Sequence, residues 1–239
     1  MVDICTVVFI LGVAFVPSLL YLVTVRNTER FGREPYGRLI LMFGFGAVVS
    51  VLLALVLNAV VLGELMKFER LTEVGGEHFL GAVVVAPFVE ELVKGLGLVF
   101  VLSVLTREQD GMVYGAAIGL GFAATENLLY EVTALSGGLL AYAVTAILRI
   151  ISSTLLHATA TSVTGYGVAR AVVERRALLA AFPFYIVAVI MHATFNLIAM
   201  LPSTWPDTFG DWTWSISLLL TILFAVFAWR AMRARISEP

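Results

Sequence analysis

Two adjacent carboxylates and a lysine, Glu90-Glu91-x-x-Lys94, lie inside an apolar run that extends from Phe79 to Leu105. An ionisable side chain at the centre of a membrane-inserted helix costs roughly 2.5–3.5 kcal/mol, so such residues face a bundle interior or a water-filled cavity and mark functional sites. Three further apolar stretches carry Phe122-x-x-x-Glu126-Asn127, Arg149 with His157, and His192-x-x-x-Asn196. A carboxylate and an imidazole in a low-dielectric cavity can share a proton and activate water. An imidazole and an amide one helical turn apart can both donate to one developing oxyanion. Together these groups form a hydrolase kit that needs no Ser or Cys nucleophile. No Gly-x-Ser-x-Gly is present, and the single cysteine, Cys5, lies at the far end of the chain. On a helix Lys94 reaches Glu91 at i,i+3 and Glu90 at i,i+4. The two glutamates point about 100° apart. One is therefore expected to face a cavity and the other to brace, against Lys94 or Arg149.

The elements that hold these groups follow from composition. The 239 residues are 60% hydrophobic and 13% charged, with a mean hydropathy of +0.98, whereas soluble domains carry about 25% charged residues. Apolar segments recur at about 2–25, 38–62, 79–105, 111–133, 139–169, 177–201 and 213–233. The expected fold is an all-α, polytopic transmembrane helical bundle of about seven spans. One cysteine excludes an internal disulfide framework and a Cys-based zinc site. The start of the chain has no basic n-region and carries Asp3, so it reads as a first span and not as a cleaved signal peptide. Nucleic-acid motifs, basic runs and linkers are absent. The simplest partition is one multi-pass membrane domain over 1–239 with its polar core at about 79–201, with the lipid bilayer and no nucleic acid as partner.

Eleven of the fifteen Lys and Arg residues fall in the first, third and fifth loops and the tail, and only Lys67 and Arg70 fall in the second loop. By the positive-inside rule the N-terminus lies outside and the C-terminus in the cytoplasm. At 1.5 Å per residue, Glu90 lies ~16 Å, Glu126 ~10 Å and His192 ~14 Å from the outer boundary. They share one layer in the outer half of the bilayer. His157, far into the long fifth segment, joins that layer only if its helix protrudes or tilts. The amphipathic stretch at 63–78 suits either an outer-surface helix or a short connection, and Trp205, Trp212 and Trp214 suit an interfacial belt. Gly111, Gly115 and Gly119 make a small-residue face for close helix packing.

Taken in order, Glu90-Glu91-x-x-Lys94, Phe122-x-x-x-Glu126-Asn127, His157 and His192-x-x-x-Asn196 resemble the PrsW family of intramembrane proteases, as does Arg33-Glu34-Pro35 after the first span. The similarity runs from about residue 15 to 200. That family is similar to the CAAX prenyl-endopeptidase group, whose pattern is Glu-Glu-x-x-x-Arg, Phe-x-x-x-His and His-x-x-x-Asn. The resemblance implies Glu90 or Glu91 as the water-activating base, Lys94 as its charge partner, and His192 with Asn196 as the oxyanion hole. Glu126 stands where the CAAX group has His, so either His157 or Glu126 takes the place of the base partner. The implied substrate is a membrane-anchored protein, and PrsW proteins are implicated in first-site cleavage of anti-sigma factors.

A transporter with a proton relay is the competing class, but no internal repeat is present. A non-catalytic membrane scaffold is a third. No cofactor is expected. Three Glu and two His suffice to ligate zinc, but Lys94 beside the carboxylates would repel a cation, and His-Glu-x-x-His is absent.

Overall fold

In the computed structural model the chain is described over residues 4–68 and 76–238. Every regular element there is helical. The first is α1 (Ile4–Thr28). Helix α2 (Tyr36–Gly44) runs through a π-helical turn, Phe45–Ser50, into α3 (Val51–Leu65). Next come α4 (Gly76–Phe79), a second π-helical turn (Leu80–Val85), α5 (Ala86–Leu96) and a 3-10 stretch (Gly97–Val104). The rest of the bundle is α6 (Glu108–Ala134), α7 (Leu139–Ile151), α8 (Ser153–Val173), α9 (Phe182–Thr204) and α10 (Thr213–Ile236).

Among the described residues six helices are long and apolar enough to cross a membrane: Ile4–Thr28, Tyr36–Leu65, Glu108–Gly137, Leu139–Val173, Leu178–Thr204 and Gly210–Ile236. The protein is a polytopic helical membrane bundle. The remaining expected segment, 79–105, is also helical, but it is divided among α-, π- and 3-10 geometry and carries Glu90, Glu91 and Lys94. Pro87 in the first turn of α5 cannot donate a backbone hydrogen bond, and the helix widens into the π turn just before it. Part of the amphipathic stretch expected at 63–78 lies in 69–75, outside the described residues.

Helix α6 is the axis of the bundle. Every residue from Gln109 to Ala124 is buried, as befits a helix that is apolar all round. Its glycines explain how neighbours pack so closely on two sides. A Cβ at Gly111, Gly115 or Gly119 would strike the carbonyl oxygen of Gly165, Thr161 or His157 on α8, respectively. On the other side a Cβ at Gly121 would strike the Phe43 carbonyl, and one at Gly46 the Ile118 carbonyl. The small-residue face read from the sequence is therefore a backbone-to-backbone seat for α8, and the backbone of His157 rests on Gly119.

The fifth apolar segment is two helices. Ser152 leaves helical geometry at φ −128° and ψ −76°. Ser152 Oγ donates to the Leu148 carbonyl (2.6 Å), and Thr154 Oγ1 to the Arg149 carbonyl (3.0 Å). The two hydroxyls thus take carbonyls flanking the break. His157 consequently sits near the start of α8.

At the other end of α6 the Arg33-Glu34-Pro35 segment is clamped to the helix start. Arg107 ion-pairs with buried Glu29 and lies 2.9 Å from Asp110 Oδ1. The Glu34 backbone N–H donates to Glu29 Oε2 (3.0 Å), and Tyr114 donates its hydroxyl to Glu34. Asp110 Oδ2 accepts from the Thr106 and Arg107 backbone N–H groups. Burial pushes the Glu29 and Glu34 carboxyls above their usual range.

Two outcomes follow from this packing. Gly119→Ala destabilises the protein by about 1–3 kcal/mol, the usual cost of overpacking, whereas Gly12→Ala, whose Cβ meets nothing, leaves the detergent melting temperature unchanged. The cost of Arg107→Ala grows as pH rises through the range in which Glu29 titrates. Below its raised pKa the Glu29 carboxyl is neutral and needs no cation, and above it the carboxylate is ionised and buried without Arg107. Melts of wild type and variant across that range check the sign.

Candidate active site

Helices α5 to α9 each turn a polar side chain toward one buried cluster. Because α5 is amphipathic, Glu90, Glu91 and Lys94 all point inward. The two glutamates have different surroundings. Glu91 is fully enclosed, and both its oxygens are engaged. Oε1 accepts from Lys94 Nζ at 2.5 Å and meets His192 Nδ1 at 3.0 Å, while Oε2 accepts from Thr161 Oγ1 at 3.1 Å. Glu91 therefore joins α5, α8 and α9. Glu90 Oε2, in contrast, is buried without a hydrogen-bond partner and lies 3.9 Å from His192 Nε2. The bracing and the open glutamate expected from the helical phase are thus distinguished: Glu91 braces against Lys94, and Glu90 is open.

The hydrogen bonds assign the imidazoles. An ionised Glu91 can only accept, so His192 Nδ1 carries the proton and Nε2 presents its lone pair toward Glu90. Lys94 Nζ also lies 3.1 Å from His157 Nδ1. A protonated lysine only donates, so His157 Nε2 carries the hydrogen and donates to Glu126 Oε2 at 2.7 Å. The two rings meet edge to face, 4.9 Å apart. Phe122 packs on both partners: its ring lies 4.6 Å from Lys94 Nζ and 5.4 Å from the His157 ring. That contact gives the Phe122-x-x-x-Glu126 spacing its physical content.

Glu126 has a second partner, Arg149 Nη2 at 2.6 Å. Arg149 Nε donates to Asn127 Oδ1 (2.8 Å), and Asn127 Nδ2 donates to Thr154 Oγ1 (2.9 Å). The bracing of Glu90 or Glu91 by Arg149 expected as one alternative does not occur; its carboxylate is Glu126. Asn196 lies one turn beyond His192, and its Nδ2 donates to the Ala82 carbonyl (2.8 Å) in the π turn. One of its two amide hydrogens is therefore committed to holding the entry to α5. Five of the six expected site residues, Glu90, Glu91, Glu126, His157 and His192, converge here with Lys94, and Asn196 is tied instead to the Ala82 carbonyl. Sequence reasoning did not foresee Thr161, and it offered Arg149 only as a brace for Glu90 or Glu91. An arginine in an apolar run needs a carboxylate, and Glu126 was the one left without a cation, which is the signal that would have paired them.

Metal binding is a matter of donor geometry. Glu90, His157 and His192, all buried, each offer an atom within 4.8 Å of the others. The unpartnered Glu90 Oε2 and the lone pair on His192 Nε2 are in place for an ion, whereas His157 would join them through Nε2 only after its proton moves to Nδ1 and the bond from Lys94 is given up. One carboxylate and two imidazoles form a donor set that zinc accepts. The repulsion expected from Lys94 is offset by Glu91 at 2.5 Å. The residues fit a metal ion.

A family model described as PrsW family intramembrane metalloprotease matches residues 34–230. The chain belongs to that family. It is 28% identical over 225 residues to Protease PrsW of Clostridioides difficile (strain 630), an alignment that covers 91% of this chain and 85% of that protein. No solved structure matches it. This PrsW-family chain is accordingly an intramembrane protease by family, and its polar cluster lies between the helices of the bundle.

Lys94→Met leaves Glu91 enclosed with its strongest charge partner gone. Removing one partner of a buried ion pair costs about 3–5 kcal/mol. The variant is expected to melt correspondingly lower in detergent, and an unchanged melt would remove Lys94 from its bracing role.

Proposed function

We propose that this protein hydrolyses peptide bonds of membrane-anchored proteins near the outer face of a prokaryotic plasma membrane, with first-site cleavage of an anti-sigma factor as a fitting task. The whole chain acts as one membrane domain. The outer location rests on the distribution of basic residues, eleven of fifteen on one side. The observation that carries the chemistry is the pair formed by Glu90 Oε2, buried and unpartnered, and His192 Nε2, 3.9 Å away. A water between them would donate one hydrogen to the carboxylate and the other to the imidazole.

Each neighbour then has a task. Glu91 accepts the Nδ1–H of His192, which fixes the tautomer and stabilises the imidazolium formed when Nε2 takes a proton. His192 is thereby better suited to carry a proton to the leaving amine than to serve as an oxyanion donor, the role the resemblance implied. Lys94 keeps Glu91 ionised in place. The second hydrogen on Asn196 Nδ2 is available to the developing oxyanion. Glu126 and His157 form the second carboxylate–imidazole pair and close the far side of the cavity.

A second reading is favoured by the convergence of Glu90, His157 and His192 within metal-binding reach. In it those three residues hold a divalent ion. When bound, such an ion polarises a carbonyl and makes water acidic at neutral pH. Glu91 would then orient His192 by accepting its Nδ1–H.

The test is purified protein with a panel of single-span peptides, with products read by mass spectrometry. Glu90→Ala, Glu91→Ala and His192→Ala are each expected to lower cleavage by about 10²–10⁴-fold, with Glu90→Ala and His192→Ala folded and Glu91→Ala melting lower because it leaves Lys94 buried without its carboxylate. Wild-type rates in all three would overturn the site. Cleavage that survives dialysis against EDTA assigns the water to Glu90 alone. Cleavage that is lost and returns with Zn²⁺ assigns it to the ion. Proton flux into liposomes without any cut peptide would favour a transporter, and intact activity of a partner protein alongside the Glu91→Ala variant would favour a scaffold.

A further inference from the structure

An arginine near a membrane surface normally extends toward water along its apolar stem. Arg149 does the opposite. Its side chain is 15% exposed, and it is folded into the cluster. Nη2 donates to Glu126 Oε2 (2.6 Å) and to Ser153 Oγ (3.0 Å), and Nε donates to Asn127 Oδ1 (2.8 Å). The guanidinium carbon lies 3.9 Å from the Tyr130 ring centroid. The side chain also spans the interruption between helices, because Arg149 lies in the last turn of α7 and Ser153 begins α8. Thr154 Oγ1 closes the same junction from the other direction by donating to the Arg149 carbonyl.

The effect falls on one atom. Arg149 and His157 both bind Oε2 of Glu126, at 2.6 and 2.7 Å. Oε1 of the same carboxylate has no hydrogen-bond partner among the described residues, and the side chain is 21% exposed. Two donors therefore pin one oxygen and leave the other free. Only a planar, forked cation can hold Glu126, Asn127 and Ser153 at once, since a lysine ammonium is a single point charge on a flexible stem.

We propose that Arg149 is a positioning residue for peptide hydrolysis. It locks Glu126 by Oε2 and so leaves Oε1 for the reacting groups. This rests on the protease reading above. The guanidinium touches no substrate; it acts through the carboxylate it orients.

The experiment compares Arg149→Gln, Arg149→Lys, Glu126→Gln and the Arg149→Gln/Glu126→Gln double variant in the peptide assay and in thermal melts. Arg149→Gln is expected to lower kcat about 100-fold, the scale of an ångström-level misplacement, with KM within about threefold of wild type. Arg149→Lys restores the charge but not the fork, and recovers about tenfold of that loss. In the Glu126→Gln background Arg149→Gln should cost less than about threefold more, because the group it positions is already gone. Equal losses in both backgrounds, or a loss confined to KM, would overturn the proposal, as would a falling melting temperature with kcat unchanged. Should Arg149→Gln fail to fold, Arg149→Lys decides alone: a lower kcat at unchanged KM supports positioning, and wild-type kcat overturns it. A wild type that cuts none of the peptides sinks the protease reading itself, whereas a wild type that cuts them beside an equally fast Arg149→Gln sinks only this inference.

Discussion

The polar interior is organised by the enclosure of one carboxylate. Glu91 has no contact with solvent, so every lone pair it offers must find a donor inside the protein. Lys94, His192 and Thr161 provide those donors from α5, α9 and α8. Once they are satisfied, the positions of three helices and the tautomer of one histidine are set together. Lys94 extends the order to His157, which passes it to Glu126 and then to Arg149. Glu90 Oε2 is left out of this chain. An unpartnered buried oxygen beside an otherwise satisfied network is where a water, an ion or a substrate group has a reason to bind.

The backbone makes that network attainable. Side chains on α6 and α8 meet across the cluster because the helices touch at their glycines, with nothing bulkier than hydrogen between Gly119 and the His157 carbonyl. In a bilayer such close approach substitutes for the hydrophobic drive that water would supply. The departures from ideal helix lie around the site as well. The π turn at Leu80–Val85 precedes α5 and is held by Asn196. The break at Ser152 precedes α8 and is closed by Ser152, Thr154 and Arg149. Irregular backbone survives at membrane depth only where neighbouring side chains take up the freed carbonyls, and hydroxyl and amide groups do that here.

The same charge plays different parts at the two ends of α6. At one end Arg107 binds Glu29 and Asp110 and fastens the loop after α1 to the helix start. At the other, Arg149 binds Glu126 within reach of the histidines. The first arrangement leaves no oxygen of Asp110 free. The second bonds Glu126 through one oxygen, Oε2.

Much of this was legible in the chain alone. Hydropathy set the helical membrane class, because a bilayer accepts only segments that satisfy their own backbone. The ordered motifs from Glu90 to Asn196 named the cluster, because ionisable groups in apolar runs have few other reasons to exist. Three matters were decided only by tertiary structure. Helical phase put Glu90 and Glu91 on different faces but could not say which one met Lys94 and His192, since that depends on where α8 and α9 pack. Hydropathy could not reveal the break at Ser152, because both halves of the segment are apolar and the interruption is closed by local hydroxyl bonds. Arg149 was visible as a charge within a span, but its partner lies 23 residues away on another helix. Spacing along a chain reports neighbours on one helix, and the pairing of charges between helices belongs to the packed bundle.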